Sequence, residues 1–137
     1  MHFDPAFVRA HDGLGTAYKD SGRVNEAIRA YQQALKLNPE HPEVLNNLAT
    51  AYAAGGRHRE ASEALKRAIG LKPDFVVAQY NLGLVYLLAN KRDSALEQFQ
   101  MLKTLHSQTA DKLYAEIYRG KLVRAQVPLT TSETIPQ

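Results

Sequence analysis

The chain has 137 residues, 45% of them hydrophobic, which is enough to form one ordinary core. Its 17 basic residues exceed the 14 acidic residues only slightly and form no run, so nothing indicates a nucleic-acid surface. The absence of cysteine excludes disulfides and thiol chemistry, and the longest apolar stretch, 82–89, is too short to insert into a membrane.

The start of the chain has two interpretations. Pro5 lies 34 residues before Pro39, as if Asp4 and Pro5 closed an earlier repeat of a longer array. Alternatively, Asp4 caps the first helix and Pro5 occupies its first turn. The sequence leaves both interpretations open.

A period of 34 residues organises positions 8 to 109. Tyr18, Tyr52 and Tyr86 follow one another at this spacing. Several other columns keep the same spacing: Leu14, Leu48 and Leu82; Gly15, Ala49 and Gly83; Ala27, Ala61 and Ala95; and Pro39 with Pro73. Columns in phase at this period indicate an internal structural repeat.

Each repeat is predicted to contain two helices, A and B. The A helices are predicted to begin near Val8, Pro42 and Val76, and the B helices near Val24, Arg59 and Asp93. Leu14 and Tyr18 are i and i+4 on one helix face, which is predicted to fill the space between helices. Pro39 and Pro73 stop the B helices. The residues between A and B tolerate the left-handed conformation that ends a helix: Gly22, Gly56 and Asn90.

These columns resemble the signature of the tetratricopeptide-repeat family, in which W-x2-L-G-x2-Y is followed by A-x3-F and then P. The resemblance implies an all-α fold, a right-handed superhelical array of antiparallel helix pairs (an α-solenoid). The repeats would span about 8–41, 42–75 and 76–109. The chain departs from the signature because no repeat has the tryptophan, and the third has Leu102 and Ser107 where the others have alanine and proline.

A further helix is predicted at about 110–125, which would complete a domain over residues 1–125. Leu113, Tyr114 and Ile117 form an apolar stripe, which we expect to bury against the third B helix and so cap the array. Residues 126–137 are rich in Thr, Ser and Pro, and we expect a flexible tail there.

No constellation of catalytic residues stands out. The five histidines are scattered without ligand spacing, and His11, in a core column, is predicted to be a packing residue. We therefore expect no enzyme activity, no metal and no cofactor. The compartment is not encoded in the sequence, and the cytoplasm is our expectation.

The resemblance also implies that the A helices line a concave groove, which positions 2, 5, 6, 9 and 13 of each repeat would face. These positions are polar or charged in the first repeat, as at Asp12 and Asp20, and apolar in much of the third. The candidate peptide-binding residues are Asn46, Asn47 and Thr50 in the second repeat and Tyr80, Asn81, Leu84 and Leu88 in the third.

Asn47 and Asn81 occupy equivalent positions. A carboxamide carries both donors and an acceptor, so it can pair with a peptide backbone. Such a column resembles the asparagine ladder in the helical-repeat part of O-linked N-acetylglucosamine transferases, and on this interpretation the amides are not needed to hold the helices together. The alternative is that asparagine only helps the helices to pack.

Tyr80, Leu84 and Leu88 form an apolar patch, which marks an interaction site unless the C-terminal helix or the tail covers it. Chaperone-binding relatives grip a C-terminal carboxylate with Lys and Arg on this face. Here only Asn47 fits that pattern, which argues against the capture of chaperone tails. The other clamp positions hold Asp12, Thr16, Val77 and Asn81.

Together these features predict a protein-interaction scaffold that binds a peptide or helix of a partner protein in its groove. Two alternatives stay open. The chain could be a self-associating structural module, or, as its Asp4-Pro5 start suggests, a regulatory segment of a larger enzyme.

Overall fold

A computed structural model describes the backbone of residues 4–125 and the side chains of residues 4–119. This part of the chain is all-α, a right-handed superhelical array of helix pairs, and contains no strand. Its helices are α1 (Pro5–Asp20), α2 (Val24–Leu37), α3 (Pro42–Ala54), α4 (His58–Leu71), α5 (Val76–Leu88), α6 (Arg92–Leu105) and α7 (Ser107–Ala125). The expected tail, 126–137, lies outside the described residues.

The helix starts follow short-range chemistry. Helices α2, α3 and α5 begin where predicted, and α4 and α6 begin one residue earlier. Helix α1 begins at Pro5, three residues before the predicted start. The reason is that the Asp4 carboxylate accepts a hydrogen bond from the Ala6 N–H at 2.9 Å, and proline is well suited to the first helical position. The capping interpretation of Asp4 and Pro5 is therefore confirmed as local structure.

The turns between paired helices share one geometry. Gly22 and Gly56 have φ of 80° and 77°, and Asn90 has φ of 62°, so all three adopt the predicted left-handed conformation. The next N–H in each turn donates to the carbonyl of the tyrosine column, Tyr18 or Tyr52 at 2.8 Å and Tyr86 at 2.7 Å. The columns of the sequence thus mark where each A helix ends.

The array curves with the A helices on its inner side. Helix α3 contacts both α1 and α5, and α5 contacts α7. By contrast, the described residues of α2 and α4, and those of α4 and α6, have no pair of Cα atoms within 8 Å. Because α1, α3, α5 and α7 are closer together than the B helices, they form the concave wall.

The repeat core depends on columns of small residues. Ala27, Ala61 and Ala95 are completely buried. A methyl group added to Gly15 would lie only 2.6 Å from a ring carbon of Tyr31, and one added to Gly83 would overlap Leu113. Small residues in these columns therefore permit close helix approach, and the neighbour of Gly83 belongs to α7.

The expectation that Leu14 fills an interhelical space is wrong. Leu14 is 46% exposed, whereas its equivalent Leu48 is 6% exposed. Leu35 of the preceding α2 lies beside Leu48 in the groove between α3 and α4, whereas no described residue lies at the equivalent place beside Leu14. His11, from the same face, is likewise only half-buried rather than packed in the core.

Helix α7 covers the other end of the array, but not with the whole predicted stripe. Leu113 and Ile117 are buried as predicted, within a cluster that includes Phe99 and Leu102 of α6. Tyr114 is 43% exposed, which corrects the expectation that it is buried. Its ring lies at the edge of that cluster, 5.0 Å from Phe99 and 4.5 Å from Tyr118 between ring centroids.

A buried amide pair adds a polar contact that the repeat columns do not show. Gln98 on α6 donates a hydrogen bond to the side-chain carbonyl of Gln79 on α5, and Gln79 donates to the Pro73 carbonyl at 3.2 Å. Both glutamines are buried, and these bonds satisfy polar groups that would otherwise destabilise the core.

None of the helices in residues 4–125 combines the length and the hydropathy that a membrane crossing requires.

Candidate functional site

The predicted peptide-binding residues lie on two neighbouring helices of the concave wall. Helix α3 carries the second-repeat residues, and α5 carries the third-repeat residues. The wall brings them together as one surface, in which Leu88 is 60% exposed and Asn46 is buried. The full set comprises Asn46, Asn47 and Thr50 on α3 and Tyr80, Asn81, Leu84 and Leu88 on α5.

The two equivalent asparagines make the same kind of bond. Asn47 donates to an Asp12 carboxylate oxygen on α1 at 2.9 Å, and Asn81 donates to the Asn46 side-chain carbonyl on α3 at 3.0 Å. Each amide therefore joins its own A helix to the preceding one. These hydrogen bonds count against the expectation that the amides are not needed to hold the helices together.

The hydrogen bonds of Asn47 and Asn81 leave part of each carboxamide available for further hydrogen bonds. Each carboxamide has a second N–H and a carbonyl oxygen, and neither group has a partner among the described residues. Both side chains are half-buried rather than sealed in the core. The same asparagine can therefore contribute to packing and still offer a donor and an acceptor at the wall.

Thr50 is held by two bonds that fix its position on the wall. Its hydroxyl donates to the Asn47 backbone carbonyl at 2.7 Å and accepts from the Lys19 ammonium at 3.2 Å. Lys19 was missed as a residue of this surface. The sequence did indicate this position, since Lys19 lies three residues after Thr16 on α1. The helical period places Lys19 beside Asp20, which was predicted to face the groove.

The apolar patch on α5 is partly covered. Tyr80 and Leu84 are half-buried and pack against the cluster that α7 completes. Burial raises the pKa of the Tyr80 phenol, and the Glu116 carboxylate on α7 raises it further. The C-terminal helix thus covers one part of the patch, as one alternative predicted, while Leu88 and Val77 stay exposed.

The wall changes in character from one end to the other. Arg9 and Asp20 are exposed on α1. Glu43, at the start of α3, forms an ion pair with Lys72 at 3.3 Å, and its carboxylate lies 3.5 Å from the Nδ1 atom of His41. A ligand lying along this wall would meet charge at α1, amides at α3 and apolar side chains at α5.

The described residues contain no cluster of three or more His, Asp or Glu side chains that could hold a metal ion. The wall offers hydrogen-bonding groups and exposed apolar side chains, and both can contact a ligand.

Comparison with known proteins identifies the repeat. The tetratricopeptide-repeat profile matches residues 13–74 and 46–110. The chain belongs to the tetratricopeptide-repeat family. No match was found among curated proteins.

Three solved tetratricopeptide-repeat structures show the extent of the likeness. MamA is 30% identical, with a TM-score of 0.75, over 89% of this chain and 72% of MamA. The first such domain of Spaghetti, bound to the HSP90 peptide SRMEEVD, is 20% identical, with a TM-score of 0.78, over 88% of this chain and 98% of that one. The second such domain of human RPAP3, in complex with an HSP70 peptide, is 19% identical, with a TM-score of 0.75, over 82% of this chain and 96% of that one.

Tetratricopeptide-repeat domains are in general non-catalytic interaction modules, and this chain has the helical-repeat, protein-binding scaffold of the family. Two of the neighbours above hold chaperone peptides on the same fold. That finding counts against our expectation that chaperone tails are unlikely partners, because the fold itself accommodates them.

Proposed function

We propose that the concave wall formed by α1, α3 and α5 binds an extended peptide segment of a partner protein. The observation that carries the proposal is the pair of equivalent asparagines, Asn47 and Asn81, each with donor and acceptor capacity left over at the wall. Two carboxamides one repeat apart suit a ligand with a repeating backbone, because each can pair with a peptide N–H and C=O.

The gradient of the wall indicates the kind of peptide. Val77 and Leu88 are exposed on α5, so an apolar side chain of the ligand would be buried there. Arg9, Asp20 and the half-buried Lys19 would meet a polar or charged segment at α1. The proposal therefore names a peptide with an apolar portion and a polar portion, rather than a uniformly charged ligand.

The proposal retains several expectations from the sequence. The scaffold would act without catalytic residues or a cofactor, would not bind nucleic acid, and would work in the cytoplasm. The alternative of self-association is tested by measuring solution mass across a range of concentrations. If the concave wall variants below changed that mass, the ligand of the wall would be another copy of the chain.

The test begins with random peptides displayed on phage and selected on the purified protein, with the HSP90 peptide SRMEEVD assayed beside them. Selected peptides are then measured against Asn47→Ala, Asn81→Ala and Leu88→Glu. We expect each asparagine variant to bind about three- to tenfold more weakly, because a hydrogen bond is worth about 0.5–1.5 kcal/mol. Leu88→Glu should weaken peptides that carry an apolar portion, because it places a charge in the apolar part of the wall.

Controls separate binding from folding. Each asparagine variant should also lose about 0.5–1.5 kcal/mol of stability, since an interhelical hydrogen bond is removed, so binding is measured well below its unfolding transition. Asn25→Ala, at an exposed position on α2, is the matched control and should bind normally. Full binding by both asparagine variants would contradict the proposal and leave these residues with a packing role alone.

A further inference from the structure

Two grooves in the array are lined by equivalent residues. The first lies between α1 and α2 and is lined by His11, Leu14, Tyr18, Glu26, Arg29, Ala30 and Gln33. The second lies between α3 and α4 and is lined by the residues 34 positions later, Leu45, Leu48, Tyr52, Glu60, Glu63, Ala64 and Arg67, together with Leu35 of α2. We call the first the N-terminal groove and the second the inner groove.

The inner groove shows what such a groove holds. Helix α2 lies over it, and Leu35 supplies an aliphatic side chain to its lining. Gln32, three residues earlier on α2, donates to the Tyr52 hydroxyl at 3.2 Å. Arg67 on the rim donates to the Pro39 carbonyl just beyond the end of α2 at 2.7 Å. The occupant is an amphipathic helix that is recognised by one leucine, one amide and its C-terminal backbone.

The N-terminal groove offers the leucine and the tyrosine hydroxyl without an occupant among the described residues, whereas Gln33 stands in place of Arg67. Leu14 is 46% exposed where Leu48 is 6% exposed. The Tyr18 hydroxyl, equivalent to that of Tyr52, has no hydrogen-bond partner in residues 4–119. Its ring is nevertheless held in place by Arg23, whose guanidinium lies 5.0 Å from the ring centroid, as Arg57 lies 4.8 Å from Tyr52.

We propose that the N-terminal groove is a second binding surface, which takes an amphipathic helix of a partner protein. The helix would place an aliphatic side chain against Leu14, as Leu35 lies against the inner groove, and a hydrogen-bonding side chain three residues earlier at Tyr18. This surface is separate from the concave wall, because it lies between α1 and α2 rather than along the row of A helices.

The rim of the groove indicates the charge of the partner helix. Arg29 stands where the inner groove has Glu63, and His11 stands where it has Leu45. Glu26 forms an ion pair with Arg23 at 3.0 Å, and Arg29 attracts the Glu26 carboxylate only at longer range. Gln33 stands where the inner groove has Arg67, so the rim loses one base but also exchanges an acid for a base, and the net gain of one positive charge favours a helix that carries a carboxylate.

A second copy of the chain is a poor occupant in head-to-tail stacking. The last B helix, α6, would have to provide the docking residue, and the column of Leu35 and Ile69 continues there as Lys103. Lys103 would bring a positive charge to a rim that already carries Arg29. Helix α7 also packs on α6 and limits access to it.

The chain itself provides a probe for the test. A fluorescein-labelled peptide with the sequence of residues 24–40, which includes Leu35, is titrated with the protein and followed by fluorescence anisotropy. We expect saturable binding, and a loss of binding when Leu35 in the peptide is replaced by Asp. A second peptide with Gln32→Glu should bind more tightly at low salt than at high salt, because its carboxylate would be attracted to Arg29 on the rim.

Protein variants locate the site of binding. Leu14→Glu should weaken the peptide at least about tenfold, because it places a charge where the Leu35 side chain of the peptide would pack. Leu71→Glu is the control, since Leu71 is also an exposed leucine, at 40%, and does not line this groove. Leu14→Glu should leave the peptides of the concave wall unaffected.

Three outcomes would overturn the proposal. The first is an absence of peptide binding. The second is binding that survives in Leu14→Glu, which would mean that the peptide displaces α2 from the inner groove. The third is a concentration-dependent dimer of the wild-type protein that Leu14→Glu abolishes, since a second copy would then be the occupant.

Discussion

The two ends of the array are built from similar residues but are finished differently. At the C-terminal end, α7 buries Leu113 and Ile117 against α5 and α6. At the N-terminal end, Leu14 and Phe7 are exposed, and no described helix lies over them. Leu14 belongs to the same column as the buried Leu48 and Leu82. The comparison teaches that a column fixes where a side chain points, whereas the neighbouring repeat decides whether it is buried.

Helix α7 can cap the C-terminal end without carrying the residues of the repeat columns. Leu113 approaches so closely that Gly83 has no space for a side chain. Helix α7 therefore packs by shape against the last repeat. Among the described residues, one end of the array is covered by a helix and the other is not.

The largest effect should come from removing the closed end. A chain that stops after Leu105 loses α7 and exposes the cluster around Phe99 and Leu102. We expect its free energy of unfolding to fall by several kcal/mol, since burial of a side chain such as Leu113 or Ile117 is worth about 1.5–3 kcal/mol. Urea unfolding followed by circular dichroism measures this. A chain ending after Ala125 is the control, and a truncated protein with the parent's stability would show that α7 contributes nothing.

The comparison is sharpened by one substitution made in the same column at two places. Leu48→Ala removes a buried side chain and should cost about 2–5 kcal/mol. Leu14→Ala removes a side chain that is half in solvent and should cost less than about 1 kcal/mol. Both are measured by urea unfolding under the same conditions. Equal losses would mean that something covers Leu14 in solution, and the difference between the two ends would then disappear.

Much of the fold could be predicted because its signals are local. Pro42 begins α3, Gly22 and Gly56 end A helices in left-handed conformations, and the 34-residue period sets the pairing. These features depend on backbone preferences that each residue carries wherever it stands. The exposure of Leu14 and Tyr114 could not be predicted in the same way, because it depends on which helix lies beside them.

The candidate site was predictable only in part for a related reason. The period placed Asn47 and Asn81 on one wall, but their bonds to Asp12 and Asn46 cross between helices and depend on side-chain conformation. The buried pair Gln79 and Gln98 was not foreseen either, because no column shows that two amides meet inside a repeat. Contacts between repeats carry information that a single-repeat pattern lacks.

The smallest effect concerns an ion pair that the first and second repeats share, Arg23 with Glu26 and Arg57 with Glu60. A hydrogen bond from Arg23 lowers the pKa of the Glu26 carboxyl, and a backbone hydrogen bond and Arg57 lower that of Glu60. Both carboxylates thus have folded-state pKa values below their usual 4.5. Such groups contribute stability above the unfolded-state pKa, and this contribution is lost as the pH falls through the folded-state pKa.

We therefore expect Glu26→Gln and Glu60→Gln each to reduce the urea midpoint slightly at pH 7 and to leave it unchanged at a pH well below 4.5. The two effects should be equal, because each pair spans three residues of one chain segment and both are exposed. Equal effects would show that the repeats differ at their interfaces and not within their own turns. A larger effect for Glu60 would mean that helix α2, which lies over the inner groove, strengthens the pair there, and local chemistry would then also depend on the neighbouring repeat.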